Sequence, residues 1–240
     1  MINLQRVLPL IFLFFVPFSA FAGISLDATR LVFPESNSQQ GIGVGVTSAT
    51  SSSSPYLVKA RVVTAPDAES TDTPFVVSPS LFRLEPGTTN QLRIMLRRGG
   101  LPQDRESVYY LQVIAQAAGK HNEPDKPLAP GGAMILSSGT LIKLFYRPAG
   151  LSVSPQKAMA DLQFSRRGQQ LYVYNPSPYF ITLSSLNAGG QAVPLSAAKQ
   201  NSMLAPFSGQ TYAVSPPAGQ VTWKAINDYG GTEVFRGELH

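Results

Sequence analysis

Apolar residues in this chain recur at every second position, with no sustained spacing of three or four. Ile42, Val44 and Val46 alternate with Gly43 and Gly45. Successive side chains of a strand point to opposite faces, so this rhythm predicts half-buried β-strands. Runs rich in β-branched and aromatic residues follow at 56–63, 82–84, 92–96 and 108–114, and again at 162–164, 171–174, 179–183, 210–214 and 221–226. Turn signals divide them, among them Pro86-Gly87, and the chain holds 20 Gly and 20 Pro. Short strands at regular spacing, split by such residues, predict an all-β sandwich class. No segment beyond residue 22 predicts a long helix. Pro148-Ala149-Gly150 predicts a linker, which divides the strands into one unit at 23–150 and another at 151–240.

Two connections stand out. Residues 50–55 include Ser51 to Ser54 and are predicted as a flexible hairpin end. Residues 117–132 are polar, rich in Pro and Gly, and lie between two strong strands. That is long against the roughly 2–5 residues of an ordinary hairpin loop, and long loops on ordered domains often carry function.

The first 22 residues read as an address. Arg6 gives a thin positive region, and Val7 to Val16 is apolar apart from Pro9. Ala20-Phe21-Ala22 has the small-x-small form of a signal-peptidase site, so the mature chain is expected to begin at Gly23 and to be exported. No later stretch offers the roughly 20 apolar residues of a membrane helix, so no membrane insertion of the mature chain is expected.

Composition excludes several functions. Hydrophobic residues make up 43% and charged residues 14%, enough apolar surface to offset the entropy of ordering. The absence of cysteine removes disulfides, thiolate nucleophiles and cysteine-ligated zinc together. The formal charge of +5 has no dense Lys/Arg run behind it, so nucleic acid is not an expected partner. His121 and His240 are the histidines present, and neither lies in a nucleophile–acid pattern or at metal-ligand spacing. Gly41-x-Gly43-x-Gly45 has the wrong third spacing for a phosphate loop, and it reads instead as a strand with glycine on its outer face. No cofactor, no metal and no enzymatic activity are expected.

Four motifs then occur in order: 101–107 (LPQDRES), 143–148 (KLFYRP), 175–180 (NPSPYF) and 227–230 (NDYG). With the opening strand around Arg30, and Val77-Ser78-Pro79 before Phe82-Arg83-Leu84-Glu85-Pro86-Gly87, the chain resembles the periplasmic pilus chaperone (PapD-like) family. The resemblance covers nearly all of residues 23–240. It implies two immunoglobulin-like β-sandwich domains around a cleft. It also implies a chaperone that binds pilus subunits by donor-strand complementation and delivers them to an outer-membrane usher.

Carried over residue by residue, the resemblance implies that Arg30 and Lys143 hold the subunit's C-terminal carboxylate. It implies that Met134, Leu136 and Ser138 are the alternating side chains of the donor strand. Ser138 departs from the pattern, since a large apolar residue is usual there. The resemblance further implies that Glu106, Arg147 and Asp228 form an ionic network between the domains. The loop before the donor strand is longer than in the family's short-loop subgroup, yet the cysteine pair of the long-loop subgroup is missing, so the kind of organelle stays open.

The chemistry is coherent. An unfinished immunoglobulin-like subunit exposes an apolar groove and unpaired backbone groups, an aggregation hazard. A strand laid along it supplies main-chain hydrogen bonds and alternate side chains, each buried Met or Leu contributing roughly 1.5–3 kcal/mol. A chain-end carboxylate fixes the register, and charge-assisted bonds to it are worth roughly 1.5–3 kcal/mol each. Taken singly, the same residues have plainer readings. Arg30 suits a solvated strand surface, Met134 and Leu136 a domain core, and Glu106, Arg147 and Asp228 unrelated surface positions. Lys143 interrupts an apolar run, and a buried lysine needs a partner. The rival functions are a structural or adhesive immunoglobulin-like surface protein and a periplasmic hydrolase or carbohydrate-binding enzyme. Free donor strands are also expected to allow two copies to cap each other as a dimer.

Overall fold

The computed structural model describes residues 23–52, 54–68, 70, 72–97, 99–117, 137–196, 199–214 and 219–239. The first half is built from β1 (Ile24–Leu26), β2 (Arg30–Pro34), β3 (Ile42–Ser48), β4 (Tyr56–Val63), β5 (Phe75–Ser78), β6 (Leu81–Leu84), β7 (Thr89–Leu96), β8 (Ser107–Ala117) and β9 (Ser137–Arg147). One sheet runs β1-β3-β7-β5 and the other β2-β9-β8-β4-β6. Alternation decides which side chains meet between them. In β4, Tyr56, Val58, Ala60 and Val62 are buried, while Leu57 and Lys59 face outward. Their inward set packs with Val44, Val46, Leu92 and Ile94 of the facing sheet around Phe33 and Leu144.

The opening strand changes sheets. Residues 24–26 pair antiparallel with β3, and after a break at Asp27–Thr29 the chain pairs parallel with β9. That crossing sets Arg30 level with Lys143 in the ladder. It also leaves part of β9 uncovered. Residues 137–146 pair with β8, but β2 covers only 143–147, so among the described residues no strand pairs with the other edge of 137–142.

Two expectations need correction. The serine-rich connection at 50–55 is not a hairpin end. β3 pairs with β1 and β7, whereas β4 pairs with β6 and β8, so the connection crosses between sheets. Turn-forming composition marks where a chain turns, not which sheet it next joins. The glycine face of β3 is only partly open. Gly43 is exposed, but Gly45 lies under Asp27, where an added Cβ would sit 2.8 Å from Asp27 Oδ2.

The second half comprises a short α1 (Pro155–Ala160), then β10 (Gln163–Arg167), β11 (Gln170–Asn175), β12 (Ile181–Ala188), β13 (Gln191–Ala192), β14 (Met203–Leu204), β15 (Ser208–Tyr212), β16 (Gly219–Ile226) and β17 (Thr232–Leu239). Helix α1 starts where Ser154 Oγ accepts the Lys157 N–H at 3.2 Å and Pro155 fills the first turn. The sheets are β10-β11-β15 and β13-β12-β16-β17, with β14 on β12. Between them lies a second core. Trp223, 1% exposed, donates from Nε1 to Met159 O at 2.9 Å and packs against Phe164. Thus the chain forms two immunoglobulin-like sandwiches with separate cores.

Candidate functional site

Among the described residues, the buried charge lies in the row where the sandwiches meet. Glu106 precedes β8 and is 3% exposed. Its backbone N–H donates to Pro178 O at 2.9 Å, and its Oε2 accepts the Phe180 N–H at 2.9 Å. The other oxygen, Oε1, accepts Arg147 Nε at 2.7 Å. Arg147 ends β9 and forks onto Asp228, with Nη1 to Oδ2 at 2.7 Å and Nη2 to Oδ1 at 2.8 Å. Its guanidinium also stands over the Tyr179 ring, 5.0 Å from the centroid. The planar fork of arginine suits this double engagement. Glu106, Arg147 and Asp228 are therefore one connected group spanning 122 positions of sequence (106 to 228).

Burial raises the Glu106 pKa, with the Arg147 charge and the Phe180 N–H opposing it. Burial alone would lower the Arg147 value, but its bonds to Asp228 and the Glu106 charge hold it above the ordinary arginine range. Both acids are thus engaged by Arg147. That leaves Arg30 and Lys143 without an ion-pair partner among the described residues.

Arg30 and Lys143 stand side by side in the parallel ladder. Arg30 Nη1 donates to Ile226 O at 2.8 Å, and its guanidinium lies 5.4 Å from the Phe145 ring centroid. Burial lowers its pKa, against the pull of Asp228 and Glu106. An arginine stays charged regardless. Lys143 Nζ reaches Thr182 Oγ1 at 3.4 Å. Burial, followed by repulsion from Arg30, brings its pKa down to about 8. Beside Arg30 opens a cavity of about 320 Å³, whose wall includes Tyr179, Phe180, Ile226, Asp228 and Tyr229. Arg30 and Lys143 are thus two adjacent half-buried cations with no ion-pair partner among the described residues, a charge arrangement that suits an anion.

The turn that carries Asp228 is fixed against β2. Gly230 has φ +83°, and an added Cβ would collide with Thr29 Oγ1. Asn227 Oδ1 accepts the N–H groups of Tyr229 and Gly231 at 3.1 and 2.9 Å. The motif at 175–178 has a different task. Asn175 Nδ2 donates to Tyr179 O and Ala205 O, which sets the loop presenting the Phe180 N–H to Glu106.

Met134 and Leu136 lie outside the described residues. Ser138 is described. It pairs with the buried Ala115, so it shares the core-facing side of β9 with Thr140 and Ile142. Ile142 is 7% exposed, whereas Thr140 and Ser138 are half-buried. The core-facing side of the strand thus emerges from its own sandwich towards residue 137. Sequence reasoning did not find Thr182, Phe145 or Phe180 at this interface, where the Phe145 and Phe180 rings lie 5.9 Å apart. Thr182 has no local signal, since only the meeting of β12 with β9 brings it there. His121 lies outside the described residues. Glu35 Oε2 accepts the Ala149 N–H at 2.8 Å, and Asp161 pairs with Lys157.

Comparison with known proteins gives a consistent picture. Residues 23–152 match the family model described as the pili and flagellar-assembly chaperone PapD N-terminal domain, and residues 157–235 match that of the pili assembly chaperone PapD C-terminal domain. The chain is 38% identical over 213 residues to the probable fimbrial chaperone protein ElfD of Escherichia coli, covering 87% of this chain and 83% of that protein. It is 33% identical over 228 residues to the chaperone protein FocC of Escherichia coli, covering 93% of each. Among solved structures, the E. coli chaperone DraB is similar at a TM-score of 0.72 and 35% identity, over 91% of this chain and 97% of that one. The Salmonella enterica SafB chaperone, solved in complex with the SafA pilin, gives a TM-score of 0.73 at 30% identity over the same shares.

Proposed function

The chain belongs to the PapD-like family of pilus assembly chaperones, and from that premise we propose that Arg30 and Lys143 hold the terminal carboxylate of a pilus subunit. Its function is that of a pilus-subunit chaperone, not of an enzyme, and membership in this family disfavours a structural or adhesive fibre protein. The observation that carries the anchor reading is the pair of adjacent cations, without an ion-pair partner among the described residues, at the point where the edge of β9 runs under β2.

This geometry also supports a strand direction. A chain whose end is held at Lys143, and whose preceding residues lie along 142–137, runs parallel to β9. Its backbone then takes up the edge groups that β2 leaves unpaired. Met134, Leu136 and Ser138 serve as the donor residues that fill the groove of the unfinished subunit. The network of Glu106, Arg147 and Asp228 holds the two sandwiches at the angle that keeps both cations beside that edge. Residues 23–150 and 151–240 form the two domains, and subunit transfer goes to an outer-membrane usher. Members of this family work in the periplasm, and residues 1–22 serve as the cleaved signal that brings the chain there.

Charge reversal tests the anchor. Lys143→Glu is expected to lose its subunit on co-purification from periplasm while keeping its far-UV circular dichroism. A variant that still brings down the subunit at wild-type yield rejects the assignment.

A further inference from the structure

A second cavity, with Lys143 in its wall, measures about 460 Å³. Both sandwiches build it. From the first come Tyr110, Leu141 and Lys143, which are neighbours on the outward face of β8 and β9, since Tyr110 pairs with Lys143 and Leu141 lies two residues before it. From the second come Gln200, Ser202 and Met203. The two walls are tied together, because Lys143 Nζ contacts Thr182 and Thr182 pairs with Met203. Leu141 is 37% exposed, and Gln200 takes a φ of 50°, unusual for a residue with a side chain.

We infer that this cavity receives an uncharged apolar side chain of the subunit's last strand, next to its terminal carboxylate. The inference rests on the anchor reading above. A strand ending at Arg30 and Lys143 and lying along the open edge of β9 has side chains of period two. Those on the outward face stand beside Leu141 and Lys143, at the mouth of the cavity. Its wall is apolar at Leu141, Met203 and the Tyr110 ring, and its volume is that of an ordinary ligand pocket. Among the described residues no carboxylate lines it, and Lys143 in its wall repels a lysine or arginine side chain. The chaperone would thus read two features of the chain end: the carboxylate by charge, and the adjacent side chain by fit. The second sandwich would take part in choosing the cargo.

Dye-labelled short peptides of alternating Val and Thr, with a free C-terminal carboxylate, provide the probe. They differ only at the last two residues, which carry Phe, Leu, Gly or Lys. Anisotropy titration of the wild type is expected to show roughly tenfold tighter binding of a Phe or Leu peptide than of its Gly counterpart, with Lys weaker still. Ser202→Trp, which fills the cavity, is expected to erase that preference while the Gly peptide binds as before. Met203→Lys, which puts a charge into the cavity from the second sandwich, should do the same, and either variant suffices should one fail to fold. Equal binding across the series, or a preference that survives both substitutions, overturns the pocket and leaves the anchor intact. Equal binding of C-amidated peptides, or no binding of any peptide, overturns the anchor and the pocket with it.

Discussion

At the scale of single residues, charge does opposite work at two neighbouring positions. Lys143 is held in the fold at a free-energy cost, because its pKa lies at about 8 and it has no acid to offset its burial. Its folded value is depressed below the unfolded one. Between about 8 and the ordinary lysine value the unfolded chain therefore binds more protons, and stability of the free protein rises with pH across that window. Lys143→Met removes the penalty. It is expected to raise the melting temperature by a few degrees, about 2–4 °C per kcal/mol for a chain of this size, while abolishing capture. A lower melting temperature would contradict this account. Capture itself needs the protonated amine, so affinity for a carboxylate peptide is expected to fall as pH rises through about 8. A flat binding profile from pH 7 to 9.5 would show that Lys143 is not at the carboxylate. Arg147 is the reverse case. Arg147→Ala leaves Glu106 buried and unpaired, which is expected to cost about 3–5 kcal/mol. With its pKa then further raised, Glu106 binds a proton in the folded state first, so the variant should regain stability as the pH is lowered. Chemical denaturation at two pH values checks both the size and the sign.

Elements were legible where alternation alone decides them. The strands around Val44, Val58, Leu111 and Val173 follow from period two, because one face of each meets a core and the other does not. β17 escaped notice for the converse reason. Its residues are exposed or half-buried almost to the end, so no apolar rhythm marks it, and its partner β16 holds it through the backbone ladder. Sheet membership was equally hidden: nothing local in residues 50–55 tells that β3 and β4 join different sheets. The site lay between these extremes. Arg30, Lys143, Glu106, Arg147 and Asp228 were readable as motifs, but the register that sets Arg30 against Lys143 arises only from the break at Asp27–Thr29. The Asn227–Gly230 turn supports that register from the other sandwich. Gly230→Ala places a Cβ against Thr29 in a left-handed backbone, a conformation that costs an alanine roughly 1–2 kcal/mol. The turn must shift, and the Arg30–Ile226 bond should lengthen or break. Weaker peptide binding with modest destabilisation is expected by titration and thermal melting; wild-type values in both would show that the turn does not position Arg30.

At the scale of the whole molecule, β9 presents an edge that no strand among the described residues covers. Along 137–142 one row of backbone groups has no strand partner among the described residues, and Leu141 stands exposed beside it. Natural sheets blunt such edges with charge, proline or a covering loop, and among the described residues of this stretch, Ser137 to Ile142, there is neither charge nor proline. An edge kept ready for a subunit is also ready for a second copy. Two β9 edges brought together antiparallel would satisfy each other's backbone groups about a twofold axis. Subunit-free protein is therefore expected to sediment as a concentration-dependent mixture of monomer and dimer, and added subunit should dissolve the dimer because both compete for one edge. Leu141→Lys, which places a charge on that edge, should shift the mixture to monomer without lowering the melting temperature. Sedimentation as a monomer at every concentration would mean that the edge is protected in the free protein by some other part of the chain.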